Sequence, residues 1–266
     1  MGKARLQVSA QIRSNVYKWQ IAIGVLMSLV TLLTLILAFA LPNRTYPRPF
    51  YTDFNLVSSF VFDVQLIWLV AASAGISAIA HFFVAFSRRS LNQYARQLSY
   101  TGPAGMAQGV NMWRWRLYAI TLTLLVWVVL QLAGITNIFF AFLILGTYVS
   151  LQYLAYVHEG INAAVARRRA ISMTPFWLGV FLWLLVWISI LVYLFSTASL
   201  TNVPVYAYVV VLGAGVITLV QGIVAFIRYL QLADAFKKNI VIENTYNVLE
   251  ILFTVVVALP LWILWT

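Results

Sequence analysis

A glutamate stands inside the apolar C-terminal stretch of this chain. In "ENTYNVLEILFTVVVALPLWILW", Glu250 is surrounded by residues that suit a membrane interior. Intramembrane carboxylates carry protons, hold cations or neutralise a basic group, and they usually find a partner in the bundle. Few groups here can share such work: the chain has six acidic residues, two histidines and no cysteine. His81 lies in "SAIAHFF", and Arg114 and Arg116 lie in "GVNMWRWRLYAIT". His81 and His158 are too few and too far apart to argue a zinc site. The absence of cysteine excludes disulfides and thiolate metal sites. No paired catalytic carboxylates, nucleophile elbow or phosphate loop is present, so the residues argue against an enzyme.

The elements that must position these groups are membrane helices. The 266 residues are 63% hydrophobic and 9% charged, against about 25% charged in a soluble domain. A bilayer core takes roughly 20 mostly apolar residues per helix. Seven segments qualify, at about 19–41, 57–86, 109–133, 136–157, 174–196, 204–230 and 246–265. The expected fold is all-α, a single seven-helix transmembrane domain over residues 1–266 of a multi-pass protein of the cell membrane. No strong internal repeat supports a transporter built from duplicated halves. The N-terminal segment "MGKARLQVSAQIRSNVYKW" is basic and lacks the features of a cleaved signal peptide.

The net charge of +11 would suit nucleic acid in a soluble chain. In a membrane chain it reads as basic cytoplasmic loops, so nucleic acid is not expected as a partner. Of the 17 lysines and arginines, all but Arg44 and Arg48 fall on one side of the seven spans. The positive-inside rule then places the N-terminus in the cytoplasm and the C-terminus outside, which opposes a G-protein-coupled receptor. The first outer loop, "LPNRTYPRPFYTDFN", suits a short hairpin or an ordered cap.

Several local runs, in order along nearly the whole chain, resemble the heliorhodopsins, the inverted branch of microbial rhodopsins. "SAIAHFF" resembles their Ser-Ala-x-Ala-His run. "GVNMWRWRLYAIT" resembles their third-helix pattern Asn-Pro-Phe-Arg-Trp-x-Glu-Tyr-Ser-x-Ser. "PFWLG" followed by Trp187 resembles the fifth helix, and "AFIRYLQ" the sixth. "ENTYNVLEILFTVVVALPLW" resembles the seventh, Glu-x-x-Tyr-x-x-Leu-Ser-Leu-x-x-Lys-x-x-Leu-Ala-Trp.

The resemblance implies a retinal pocket, and the departures from it are specific. The retinal-binding lysine falls on Thr254, the serine one turn earlier on Glu250, and the counterion glutamate of the third helix on Leu117. Arg114 and Trp115 are kept, and Met27 stands where the family often has histidine. A covalent retinal needs a lysine amine. The only lysines are Lys3, Lys18, Lys237 and Lys238, none within an expected span. No covalent retinal is therefore expected, while retinal, a carotenoid or a lipid can be held non-covalently. The former chromophore pocket would comprise Thr254, Leu117, Glu250, Trp187 and Phe253, and would be an apolar space partly filled by side chains.

Glu250 is expected about 6 Å inside the end of the last span, counting from Tyr246 at 1.5 Å per residue. Either it reaches the interface, or it faces the bundle in a polar cluster with Arg114 as cationic partner and His81 in reach; we favour the second. His81 itself reads as an ordinary hydrogen-bonded histidine or as a member of that cluster. His158 and Glu159 are expected at the cytoplasmic surface. Arg167, Arg168 and Arg169 meet anionic headgroups or a cytoplasmic protein partner. The resemblance also implies a homodimer. The reading as a whole is a retinal-free membrane protein that binds or signals through a lipid, a small apolar ligand or a partner protein. A light sensor with non-covalent retinal or carotenoid, and a proton channel or transporter, are the alternatives.

Overall fold

A computed structural model describes residues 2–40, 47–54, 57–87, 89–92, 112–163, 172–200, 203–230 and 239–263. Arg167, Arg168, Arg169, Lys237 and Lys238 lie outside the described residues. Seven helices dominate: α1 Gly2–Ala40, α2 Leu66–Phe86, α3 Met112–Leu132, α4 Ile138–Ala163, α5 Thr174–Leu200, α6 Val205–Leu230 and α7 Asn239–Ile263. Each is long and apolar enough to cross a membrane, since at 1.5 Å per residue even the 21 residues of α2 span about 30 Å.

The chain is not wholly helical. β1 Pro47–Phe54 pairs antiparallel with β2 Val57–Gln65, and an irregularity in register lies between Phe50 and Tyr51. This hairpin corrects the expected start of the second span, because residues 57–65 are a strand. Its "VSSFVFDVQ" is rich in valine and phenylalanine, which favour extended backbone, and Leu66–Phe86 already suffices to span. The last helix departs in the other direction. It begins at Asn239, seven residues before the expected start, which places Glu250 about 16 Å along α7 rather than about 6 Å from its end.

Neighbours in sequence pack as neighbours in space from α1 through α7, and α7 returns against α1, α2 and α3. α3 is the central rod: 72% of its apolar window is buried, against 28% for α5. The main core gathers Tyr118, Leu122 and Val126 of α3, Tyr148 of α4, Trp187 and Ile190 of α5, Val210 and Ala214 of α6, and Phe253 and Val257 of α7. A tight turn joins α3 to α4. Gly134 there has φ +88°, and the Gln131 side-chain amide donates to Ile135 O at 2.8 Å and closes the turn.

Candidate functional site

Two faces of regular spacing build the site. On α2, Ser73, Ser77 and His81 recur every four residues and share one stripe. On α7, Glu243, Asn247, Glu250 and Thr254 form a second stripe. All seven side chains are buried.

The stripes meet at Glu250. Ser77 Oγ donates to Glu250 Oε1 at 2.6 Å, and His81 Nε2 stands 3.4 Å from Glu250 Oε2. On its other side, His81 Nδ1 donates to Gln20 Oε1 of α1 at 2.6 Å. With Nδ1 turned to Gln20, Nε2 is the ring nitrogen that faces the Glu250 carboxyl. Thr254 Oγ1 donates back to the carbonyl of Glu250 at 2.9 Å. Ser73 Oγ donates to Thr121 O at 2.9 Å and ties the same α2 stripe to α3.

Arg114 stands elsewhere than expected. It lines one small cleft with His81, Leu117 and Glu250, whose volume of about 10 Å³ is roughly the room of one water molecule. Its guanidinium, however, pairs with Glu243 of α7 and Glu159 of α4, while the partners of Glu250 are Ser77 and His81. The reason is reach: Glu243 lies two turns before Glu250 on the same face, beside the first turn of α3. Arg228 of α6 joins the second cluster through Glu159 at 2.9 Å. Two guanidinium groups and two carboxylates thus link α3, α4, α6 and α7. The Arg114 guanidinium carbon also sits 4.1 Å from the Tyr246 ring centre and 4.7 Å from that of Trp115. Those aromatic faces favour a desolvated cation. Tyr118 Oη donates to Tyr246 O at 2.9 Å and holds α3 against α7.

His158 and Glu159 are buried, not at a surface. α4 runs to Ala163, past the expected end of its span, and carries both inward. His158 Nδ1 stands 3.1 Å from Asn162 Nδ2. Asn162 also bonds both backbone polar groups of Ser172, at 2.9 and 3.0 Å, which fixes the end of α4 to the start of α5. Sequence reading missed Glu243, Glu159, Arg228, Gln20 and Ser77 as members of these clusters. The signal available for Glu243 and Ser77 was their helical spacing to Glu250 and His81.

The residues of the expected chromophore pocket are closely packed. Leu117, Trp187, Phe253 and Thr254 are all buried, and the Trp187 ring presses on α6 so closely that a Cβ on Gly215 would meet it at 3.3 Å. Thr254 supplies a hydroxyl where a Schiff base needs an amine. Lys18, the lysine whose side chain is described, is exposed. The site residues present do not fit covalent retinal.

A cavity lies between α4, α5 and α6, and neither Thr254 nor Leu117 lines it. It measures about 420 Å³. Leu151, Phe176, Trp183 and Phe226 form much of its wall, with Trp177, Leu184, Leu219 and Ile223 at its exposed rim. Trp183 Nε1 donates to Thr218 Oγ1 at 2.9 Å across it. Two glycines keep it open: a Cβ on Gly222 would meet nothing within 4 Å, and one on Gly179 would touch only Leu151, at 3.3 Å. Among the described residues no group of three histidines or carboxylates could hold a metal ion.

No curated protein matches this chain. The family model for heliorhodopsin matches residues 16–264, which takes in all seven spans, both polar clusters and the cavity. This is a multi-pass protein of the cell membrane, and the chain belongs to the heliorhodopsin family.

Proposed function

We propose that this heliorhodopsin-family protein forms no covalent bond to retinal and instead binds a lipid-like molecule, non-covalently, in the cavity between α4, α5 and α6. The observation that carries this is the cavity itself, about 420 Å³ with an apolar, lipid-side rim. Small-molecule sites run to about 300–1,000 Å³ and are mostly apolar with a few polar groups. The Glu250–His81 pair supports the same reading. A retinal Schiff base and its counterion form a buried charge pair that is costly to halve. Here a protein-only pair on α2 and α7 occupies that part of the bundle, and Thr254 and Leu117 replace both original partners. The role is non-enzymatic, one of binding or signalling, with Arg167, Arg168 and Arg169 meeting anionic headgroups or a cytoplasmic protein.

All-trans retinal added to the purified protein, followed by borohydride and denaturation, tests the chemistry. We expect no retinyl group to remain attached, and a retained one overturns the reading. A visible band that is lost on denaturation would favour the light-sensor alternative. Native mass spectrometry from mild detergent tests the ligand and the expected homodimer together. Bound small molecules of lipid mass should appear with the wild type and disappear with Gly222→Leu, and a ligand-free wild type counts against the cavity's role. A spectrum of monomer alone refutes the dimer.

A further inference from the structure

Arg116 carries a charge on the outside of the bundle, and among the described residues no carboxylate pairs with it. It stands about 6 Å past Met112, where α3 begins, inside the span Trp113–Leu132. The chain's six acidic residues are engaged elsewhere or lie outside the described residues. Asp53 and Asp63 belong to the hairpin, at the far end of α2. Glu159 and Glu243 hold Arg114 and Arg228, and Glu250 meets Ser77 and His81. Asp234 lies outside the described residues. Arg116 is exposed and rests on one aromatic side chain of α4. Its Nη2 donates to Tyr156 Oη at 3.0 Å, and its guanidinium carbon stands 5.2 Å from the Tyr156 ring centre. Around this pair Phe83 of α2, Trp113 and Ile120 of α3 and Tyr153 of α4 are exposed. Trp113 and Ile120 stand three residues before and four after Arg116, so they share its outward stripe.

We propose that the outer groove between α3 and α4 binds the headgroup phosphate of an anionic phospholipid, with Arg116 and Tyr156 as its polar contacts. A guanidinium is a fork of donors that fits two phosphate oxygens at once. Its rest on Tyr156 aims that fork before a ligand arrives, so less side-chain freedom is lost on binding. The Tyr156 hydroxyl accepts from Arg116 and keeps its own proton to donate to the same phosphate. The surroundings suit a lipid rather than a free anion. Trp113, Tyr153 and Tyr156 are the residue types that settle at headgroup level. Ile120, one turn deeper, offers the apolar surface along which an acyl chain lies. Charge then selects among lipids: a zwitterionic headgroup brings a second cation to Arg116, whereas an anionic one does not. Neither Arg116 nor Tyr156 lines the cavity between α4, α5 and α6, so this site stands apart from the function proposed above.

The cysteine-free chain permits a local test. A bimane label is attached through Ile120→Cys in the full-length protein, which is reconstituted in phosphatidylcholine vesicles. Brominated phosphatidylglycerol or brominated phosphatidylcholine is then titrated in, and quenching reports which lipid occupies the groove. We expect phosphatidylglycerol to occupy it about fivefold more readily, the factor for one arginine near a membrane surface. Arg116→Gln should abolish that preference, and Tyr156→Phe should lower it. The same label attached through Phe181→Cys, exposed on the uncharged helix α5, should show no preference. Gly222→Leu, which fills the cavity, should leave the result at Ile120→Cys unchanged. Equal quenching by the two lipids, or a preference that survives Arg116→Gln, would overturn the site. An equal preference at Phe181→Cys would show a general attraction of the basic protein and would overturn it as well. A preference indifferent to Tyr156→Phe would remove the tyrosine hydroxyl from the site. Loss of quenching on adding inorganic phosphate would overturn the lipid as occupant in favour of a free anion.

Discussion

Replacing Glu250 by glutamine removes one oxygen's charge while keeping its shape, and the effect can be worked from the contacts. The amide oxygen can still accept from Ser77, which lies 2.6 Å from Glu250 Oε1. The amide nitrogen, however, takes the place of the oxygen that faces His81 Nε2 at 3.4 Å. The change weakens a contact between groups exposed by no more than 6%, one that contributes about 1.5–3 kcal/mol where the carboxyl is ionised. We expect Glu250→Gln to lower stability by about 2 kcal/mol, several degrees in a thermal melt. Tryptophan fluorescence in mild detergent reads this, since the cysteine-free chain gives a thiol-reactive dye nothing to label. Neighbours in one network couple, so Glu250→Gln with His81→Gln should cost about 1–2 kcal/mol less than the two single changes summed. Glu250→Gln with Arg114→Gln should show a smaller coupling, because the carboxylates of Arg114 are Glu243 and Glu159. Coupling to Arg114 as large as that to His81, or no coupling to His81, would refute this account of the pair.

Other outcomes follow from the same geometry. Glu159→Gln takes a carboxylate from both Arg114 and Arg228 and should cost about 3–5 kcal/mol, more than Arg228→Gln; equal melting temperatures for the two variants would contradict a bridging role. Gly134→Ala forces a side chain onto a φ of +88° and sets its Cβ 2.5 Å from Thr197 Oγ1, so it should cost about 2 kcal/mol. Adding Thr197→Ala should recover only part of that cost, and full recovery would show that the backbone angle is unstrained. Cysteines placed near Arg168 should label only from the cytoplasm and those near Thr52 only from outside, as the basic bias expects; the reverse pattern in sealed cells would refute that orientation.

Hydropathy made the seven spans legible because a bilayer imposes one length on every helix. It misjudged ends wherever a helix outruns its apolar part. α7 begins in "NIVIE", and α4 ends in "HEGINA". Polar residues there look like loop to a composition rule, yet they bond inside the bundle. The same error displaced the site. With α7 begun at Tyr246, Glu243 could not be seen as a competitor for Arg114, and the arginine was assigned to the wrong carboxylate. The closeness of His81 to Glu250 was readable, because both lie on spans that the family topology makes neighbours. The cavity was not readable. It depends on how three helices splay around Gly179 and Gly222, and a glycine in sequence does not say whether a neighbour fills the space beside it.

The hairpin deserves a mechanical reading. β2 ends at Gln65 and α2 begins at Leu66, so no flexible joint separates them. A strand of nine residues reaches about 30 Å, and the helix continues about 18 Å to Ser77 and about 24 Å to His81. Strand and helix are thus one continuous run of regular backbone, which leads from the hairpin to the α2 stripe of Ser77 and His81 that meets Glu250.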